Sequence, residues 1–229
     1  MSEGDDERLE AFEALRARQE EADDAIDRAS PGEAAPVGEL GMGPLATGPR
    51  FAVVVGHTRI AAGAVAGPPI NMSEYPWNKD LAQRIAAICQ ASGIANRTFF
   101  RDGIGIAGAY SQVNDWRADA VCELHFNASG GAGHGTETLY GQVQRAEAFA
   151  RVMQRSLLDA LGLRDRGILL RRPGERGGES VNAPRMPGVL IEPFFGDNRA
   201  DAERGAARKD ALAQAVVAAF QNFVAAPVG

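Results

Sequence analysis

The chain has 229 residues, 45% of them hydrophobic, and a formal net charge of −6; that length suits one domain with a substantial core plus an appendage. The charge is uneven, since residues 1–50 hold 13 acidic against 5 basic side chains and the remainder holds 17 against 19. A near-neutral body argues against a duplex nucleic-acid binder, and no apolar run reaches the ~18 residues of a transmembrane segment.

Residues 5–28 are charge-rich, lack Gly and Pro, and set Leu9, Phe12, Leu15, Ala22 and Ile26 on a narrow stripe at helical spacing. Asp5, Asp6 and Glu7 favour a helix start there. Three readings of such a helix stay open: docking on the body, contact with another protein or another copy, or a solvated helix. Residues 29–49 are rich in Gly, Pro and Ala without periodicity and read as a linker. The expected division is therefore an acidic helical extension and linker over 1–49 and the main domain over 50–229. The N-terminus lacks the charged-then-apolar pattern of a secretory signal, so synthesis in the cytoplasm is expected.

Phe51–Val55 is an apolar, valine-rich run that predicts a buried strand. Gly56 and His57 follow at its C-terminal edge, where α/β folds place ligands. Alone, such a histidine is most often a hydrogen-bonded structural residue. The loop after it holds Gly63 and Ala64, small enough to let another segment approach. Leu81, Ile85, Ile88 and Cys89 predict an amphipathic helix closed by Ser92-Gly93. Thr98–Phe100 predicts a short strand, followed by a glycine-rich loop and a helix around Tyr110–Arg117. Ala118–Phe126 predicts a third strand with His125 near its end. Gly130–Gly135 reads as a connection and Thr136–Tyr140 as a strand at or near a sheet edge.

Gln142–Leu161 predicts a helix that buries Phe149, Val152, Met153, Leu157 and Leu161. Ile168–Leu170 predicts a short strand, and the stretch Arg171–Pro187, rich in Gly and Pro, reads mostly as loop. Val189–Ile191 predicts a strand ending at Glu192, and a last helix is expected from about Ala200 to Phe223. Cys89 and Cys122 read as small core residues, with a single bridge left to geometry. Strands alternating with helices imply an α/β fold: a largely parallel twisted sheet with helices on both faces.

Four polar residues abut these apolar segments: His57, His125 and Glu192 at strand ends, and Glu74 just before a helix. A buried unpaired carboxylate is costly, and a metal removes that cost. Two neutral imidazoles and one carboxylate suit Zn²⁺ with a position left for water. The ion lowers the pKa of water toward ~7 and polarises a carbonyl. A further carboxylate can pass the water's proton to a leaving nitrogen. On this reading His57, Glu74 and His125 bind one zinc ion and Glu192 is the base, although no local spacing of the HExxH kind proves it.

Four blocks in order carry a resemblance. They are Val53-Val-Val-Gly-His57 with Gly63-Ala64; Glu74 with Asn78 and Leu81; Asn114, Ala118-Asp119, His125 and Asn127-Ala128, followed by Gly135-Thr-Glu-Thr-Leu-Tyr140; and Pro187-Gly-Val-Leu-Ile-Glu192 with Phe194-Phe-Gly-Asp-Asn198. Over about residues 50–225 the chain resembles the zinc-dependent N-acetylmuramoyl-L-alanine amidases, the family of cell-wall amidases and phage endolysins with an amidase-3-type catalytic domain. The resemblance implies that His57, Glu74 and His125 bind zinc and that Glu192 is catalytic. The implied substrate is peptidoglycan, cut at the amide between N-acetylmuramic acid and L-alanine of the stem peptide. Two departures stand out: Val54-Val55 where Asp-Pro often precedes the first Gly-His, and a family Thr-Arg-x-x-Asp reduced to Phe100-Arg101-Asp102.

Two other classes remain as alternatives, a zinc exopeptidase-like hydrolase acting on another amide and a non-catalytic structural module of a phage-like particle. Without a secretory signal, action on the wall implies phage-type release or a virion-borne enzyme. His134, Arg171 and Arg172 are candidate substrate contacts, with Arg176 and Arg185 in the same loop. Asn127 and Glu137 are candidates for orienting the histidines. Each has the plain alternative of solvation or structural hydrogen bonding, and Trp77, Phe194 and Phe195 read as core.

Overall fold

Strand β1 (Arg50–Val55) is buried at five of its six positions, and the remaining strands are laid out from it. They are β2 (Ala95–Phe100), β3 (Ala120–Leu124), β4 (Thr136–Tyr140), β5 (Asp165–Leu170) and β6 (Gly188–Glu192). The computed structural model describes Ala11, Arg18 and residues 48–226. The extension read over 1–49 therefore lies outside the described residues, apart from 48–49 and the helical residues Ala11 and Arg18.

The six strands form one sheet in the order β2-β1-β3-β6-β4-β5. β1, β2, β3 and β6 run parallel. β4 is antiparallel to β6 and parallel to β5, which makes a reversed pair on one side. The sheet is thus largely parallel, and β4 lies one strand in from the edge, as its sequence suggested.

Among residues 48–226 the helices are α1 (Glu74–Ala91), α2 (Gly105–Trp116), α3 (Ala146–Leu161), α4 (Gly178–Asn182), α5 (Arg199–Ala207) and α6 (Lys209–Ala225). α1, α3 and α6 pack on one face, where Leu81, Ile85, Phe149, Met153, Val216 and Phe220 meet Val53, Val55, Cys122, Leu124 and Ile191. α2 covers the other face through Tyr110 and Val113 against Ala52, Val54, Phe99 and Val121. α4 covers that face farther along, through Val181 against Leu139 and Leu190. Cys89 and Cys122 are buried free thiols on the first face, so no bridge forms.

Several boundaries differ from those the sequence predicts: β2 and β5 begin earlier, at Ala95 and Asp165, and the stretch read mostly as loop contains α4. α2 starts at Gly105, not near Tyr110, because Ala109, Tyr110 and Val113 bury on the sheet and packing overrides the weak helix propensity of its glycines. The single last helix is two helices joined at Arg208. Asn198 caps α5 by accepting from the Asp201 N–H at 3.3 Å. α5 packs Ala202 against Trp77, Phe126 and Phe194, whereas α6 packs on the main core, so the two helices serve different surfaces.

Strand alternation then sorts the polar groups. Glu123, Glu192 and Glu137 share a sheet face with Val121, Leu190 and Leu139 on three adjacent strands. All three carboxylates are 1% exposed or less.

Candidate metal centre

The chain leaves β1 through Gly56, whose N–H donates to Leu124 O of the neighbouring strand at 3.1 Å. His57 follows with φ 63°, an uncommon left-handed backbone for a residue with a Cβ. Such conformations persist where the surroundings over-determine them, often at functional sites. Gly63 returns the loop so close that a Cβ there meets the His57 ring at 2.6 Å and Glu74 Cβ at 2.9 Å. The small residue that the sequence places in this loop is therefore required by the packing around His57.

Glu74 opens α1 with its carboxylate turned into the fold, 0% exposed. Oε1 accepts from Ala64 N–H at 3.0 Å, and Oε2 accepts from Phe126 N–H at 3.1 Å. These two amides set the carboxylate between two imidazoles. His57 Nε2 lies 3.3 Å from Oε1, at ion-pair distance but outside hydrogen-bond geometry. His125 Nδ1 lies 3.1 Å from Oε2. One donor atom from each of His57, Glu74 and His125 lies within 4.8 Å of the others.

This donor set fits a small divalent cation. Two imidazole nitrogens and a carboxylate are the donor types zinc takes; His57 Nε2 approaches one oxygen of Glu74 at 3.3 Å and His125 Nδ1 approaches the other at 3.1 Å. His57 Nε2 is buried without a hydrogen-bond partner, which is the condition a metal bond satisfies.

The electrostatics agree. His125 Nε2 faces a second carboxylate, Glu123 Oε1, at 3.1 Å. Burial works against a charged His125, yet Glu123 and Glu74 outweigh it and bring its pKa to about 10. Burial likewise works against a charged Glu123, and His125, Arg101 and Tyr110 together bring it down to about 2. The pocket is built to hold positive charge beside the imidazole, whether as a proton or as a metal.

Glu192 ends β6. β3 and β6 run parallel with Leu124 opposite Ile191, and His125 N–H donates to Ile191 O at 3.2 Å, so His125 and Glu192 emerge side by side. Arg176 Nη1 donates to Glu192 Oε1 at 2.8 Å, and its Nη2 donates to Glu137. Glu137 is the antiparallel partner of Glu192 and also accepts from Asn127 Nδ2 at 2.9 Å and Arg166 Nε at 2.6 Å. Burial favours the neutral form of Glu137, but Arg176 and Arg166 win and hold it below its ordinary range.

A family model described as N-acetylmuramoyl-L-alanine amidase matches residues 52–222, a stretch that includes all four of these site residues. The chain belongs to this family. Solved members have the same fold at low identity. The catalytic domain of CwlV, an N-acetylmuramoyl-L-alanine amidase from Bacillus (Paenibacillus) polymyxa var. colistinus, is 23% identical; the match covers 77% of this chain and 98% of that one at a TM-score of 0.68. An amidase of the same description from Clostridium difficile 630 is 20% identical, with 79% and 98% covered and a TM-score of 0.69. The catalytic domain of the CD27L endolysin targeting Clostridia difficile is 24% identical, with 76% and 98% covered and a TM-score of 0.66. No curated protein matches.

Within this amidase-family fold, several residues of the sequence blocks have structural duties. Asn114 ties α2 to the segment before β6, giving a hydrogen bond to Ala183 O and taking one from Arg185 N–H. Asp119 accepts from Arg50 N–H, and Asp197 accepts from Ser129 and Gly131, pinning the loop after His125. Trp77, Phe194 and Phe195 are core. His134 and Arg172 are exposed, and Arg171 is half-buried with its main chain bonded to Tyr140 and Asn182.

Sequence reasoning brought together His57, Glu74, His125 and Glu192, and it named Asn127 and Glu137. It gave no role to Glu123 or Tyr110, and it did not separate Arg176, 3% exposed, from its loop neighbours. A signal for Glu123 existed: a glutamate inside the apolar strand Ala120-Val-Cys-Glu-Leu124 must have buried partners.

Proposed function

We propose that the chain is a peptidoglycan hydrolase that cleaves the amide joining the lactyl group of N-acetylmuramic acid to L-alanine of the stem peptide. His57, Glu74 and His125 hold one Zn²⁺, Glu192 is the general base, and residues 50–229 form the catalytic domain. The observation that carries this reading is the buried two-imidazole, one-carboxylate cluster beside Glu192. Family membership supports the bond chosen, and two of the three relatives above carry the same activity in their names.

When bound, zinc supplies Lewis-acid chemistry, acidifying water and polarising a carbonyl oxygen. Glu74, fixed by the Ala64 and Phe126 amides, and the two histidines would hold the ion. Glu192 takes the proton of the attacking water and delivers it to the L-alanine nitrogen as the C–N bond breaks. The products are the lactyl carboxylate and a free L-alanine amine. Arg176 donates to Glu192 Oε1 and orients it for the first transfer. No described helix is long and apolar enough to cross a membrane.

Digestion of purified sacculi tests this. New L-alanine amino termini without new reducing sugar ends are expected. Cleavage between stem-peptide residues instead favours an exopeptidase-like hydrolase, and intact sacculi overturn the enzymatic reading.

A further inference from the structure

We infer that Glu123 is the positioning residue that fixes His125 as an Nδ1 metal donor, with Tyr110 and Arg101 anchoring its carboxylate. The inference rests on the metal reading of the site. His125 has two ring nitrogens, and only one can take the ion. Nδ1 faces Glu74 Oε2 at 3.1 Å, on the side where Glu74 also meets His57. Nε2 faces Glu123 Oε1 at 3.1 Å and packs so tightly against Gly56 that a Cβ there lies 2.3 Å from it. An ion has no room on that side. Nε2 therefore carries the proton and donates it to Glu123, leaving the Nδ1 lone pair for the metal. A carboxylate behind a ligating histidine fixes its tautomer and ring orientation and raises its basicity.

Glu123 is itself held. It projects from β3 toward α2, where Tyr110 O–H donates to Oε2 at 2.7 Å and Arg101 Nη1 donates to Oε1 at 3.2 Å. Arg101 stands just past the end of β2, in the segment where the chain departs from the family's usual motif. Tyr110 and Val113 are also what fasten α2 to the sheet. The packing of α2 and the orientation of His125 thus share one buried network, and the carboxylate is aimed before any metal arrives.

The test is zinc affinity, measured by competition with a chromophoric chelator on the full chain. Glu123→Gln keeps the shape and removes the charge; Tyr110→Phe removes one anchor. The expected result is a 10–100-fold loss of zinc affinity for Glu123→Gln and a smaller loss for Tyr110→Phe, with the metal-free circular dichroism of both unchanged. Long-range proton–nitrogen NMR of the zinc-loaded wild type should show His125 protonated at Nε2. Unchanged affinity in a folded Glu123→Gln protein, or a metal on Nε2, overturns the inference while leaving zinc binding intact. A wild type that binds no zinc fails at the earlier step, the metal site itself.

Discussion

Glu74 and Glu192 are both buried carboxylates at one end of the sheet, and their surroundings are opposite in kind. Glu74 is met by two main-chain amides and two imidazoles, groups that leave a place for a cation between them. Glu192 is met by the guanidinium of Arg176, which it shares with Glu137, itself also held by Arg166. The first centre gathers lone pairs, and the second matches carboxylates with fixed cations. On the proposed reading they separate two tasks, holding a metal and moving a proton, and each should be open to damage without the other.

The largest expected effect is on the first centre. Glu74→Ala or His57→Ala removes a direct donor, so zinc affinity should fall by more than the about 10–100-fold typical of an outer partner, and hydrolysis of sacculi should vanish with it. Chelation of the wild type should do the same, with recovery on adding zinc. Retention of tight zinc binding by both variants places the metal elsewhere.

Glu192→Ala should separate the centres. Loss of a general base costs about 10²–10⁴-fold in turnover, while metal analysis should still find one zinc per chain. If metal and activity are lost together, Glu192 is a ligand and the division of labour is wrong.

The first centre was easier to find in the sequence than the second, for a physical reason. His57 and His125 end apolar runs, and a polar residue at such a boundary is visible without knowing the fold; in the second centre only Glu192 stands so. Strand order was less accessible: nothing local shows that β4 runs against β6, and that reversal is what brings Glu137 opposite Glu192. Arg176 sits in a stretch rich in Gly and Pro where exposed and buried arginines have the same local sequence character. Arg172 is exposed and Arg176 is buried only because the loop folds over the sheet. Gly105 and Gly108 hid the start of α2 because propensity favoured a loop where tertiary packing makes a helix.

Arg176→Ala should break the second centre and spare the first. It leaves Glu137 and Glu192 buried without that guanidinium, and removal of one partner from a buried pair costs about 3–5 kcal/mol, read from urea unfolding. The pH dependence should change as well. The folded pKa of Glu137 lies below its ordinary value of 4.5. Its contribution to stability is therefore full above that value and lost as pH falls through the lowered one. In Arg176→Ala that acid-side loss should shrink, because the folded pKa moves back up. A variant as stable as the parent, with the same acid profile, contradicts the role given to Arg176.

The smallest effect is expected at His134, which the sequence marked as a candidate substrate contact and the fold leaves exposed on the Gly130–Gly135 connection. Exposed substitutions away from special features usually change stability by less than about 0.5 kcal/mol, so His134→Ala should unfold with the parent. Turnover on sacculi decides its function, since exposure is compatible with contact to a large polymer. The expected result is kcat/KM close to the parent, because the proposed acid–base and metal roles fall to buried groups. A loss of about tenfold, equivalent to about 1.4 kcal/mol of transition-state stabilisation, without loss of zinc would instead extend the second centre outward to the loop that Asp197 pins through Ser129 and Gly131.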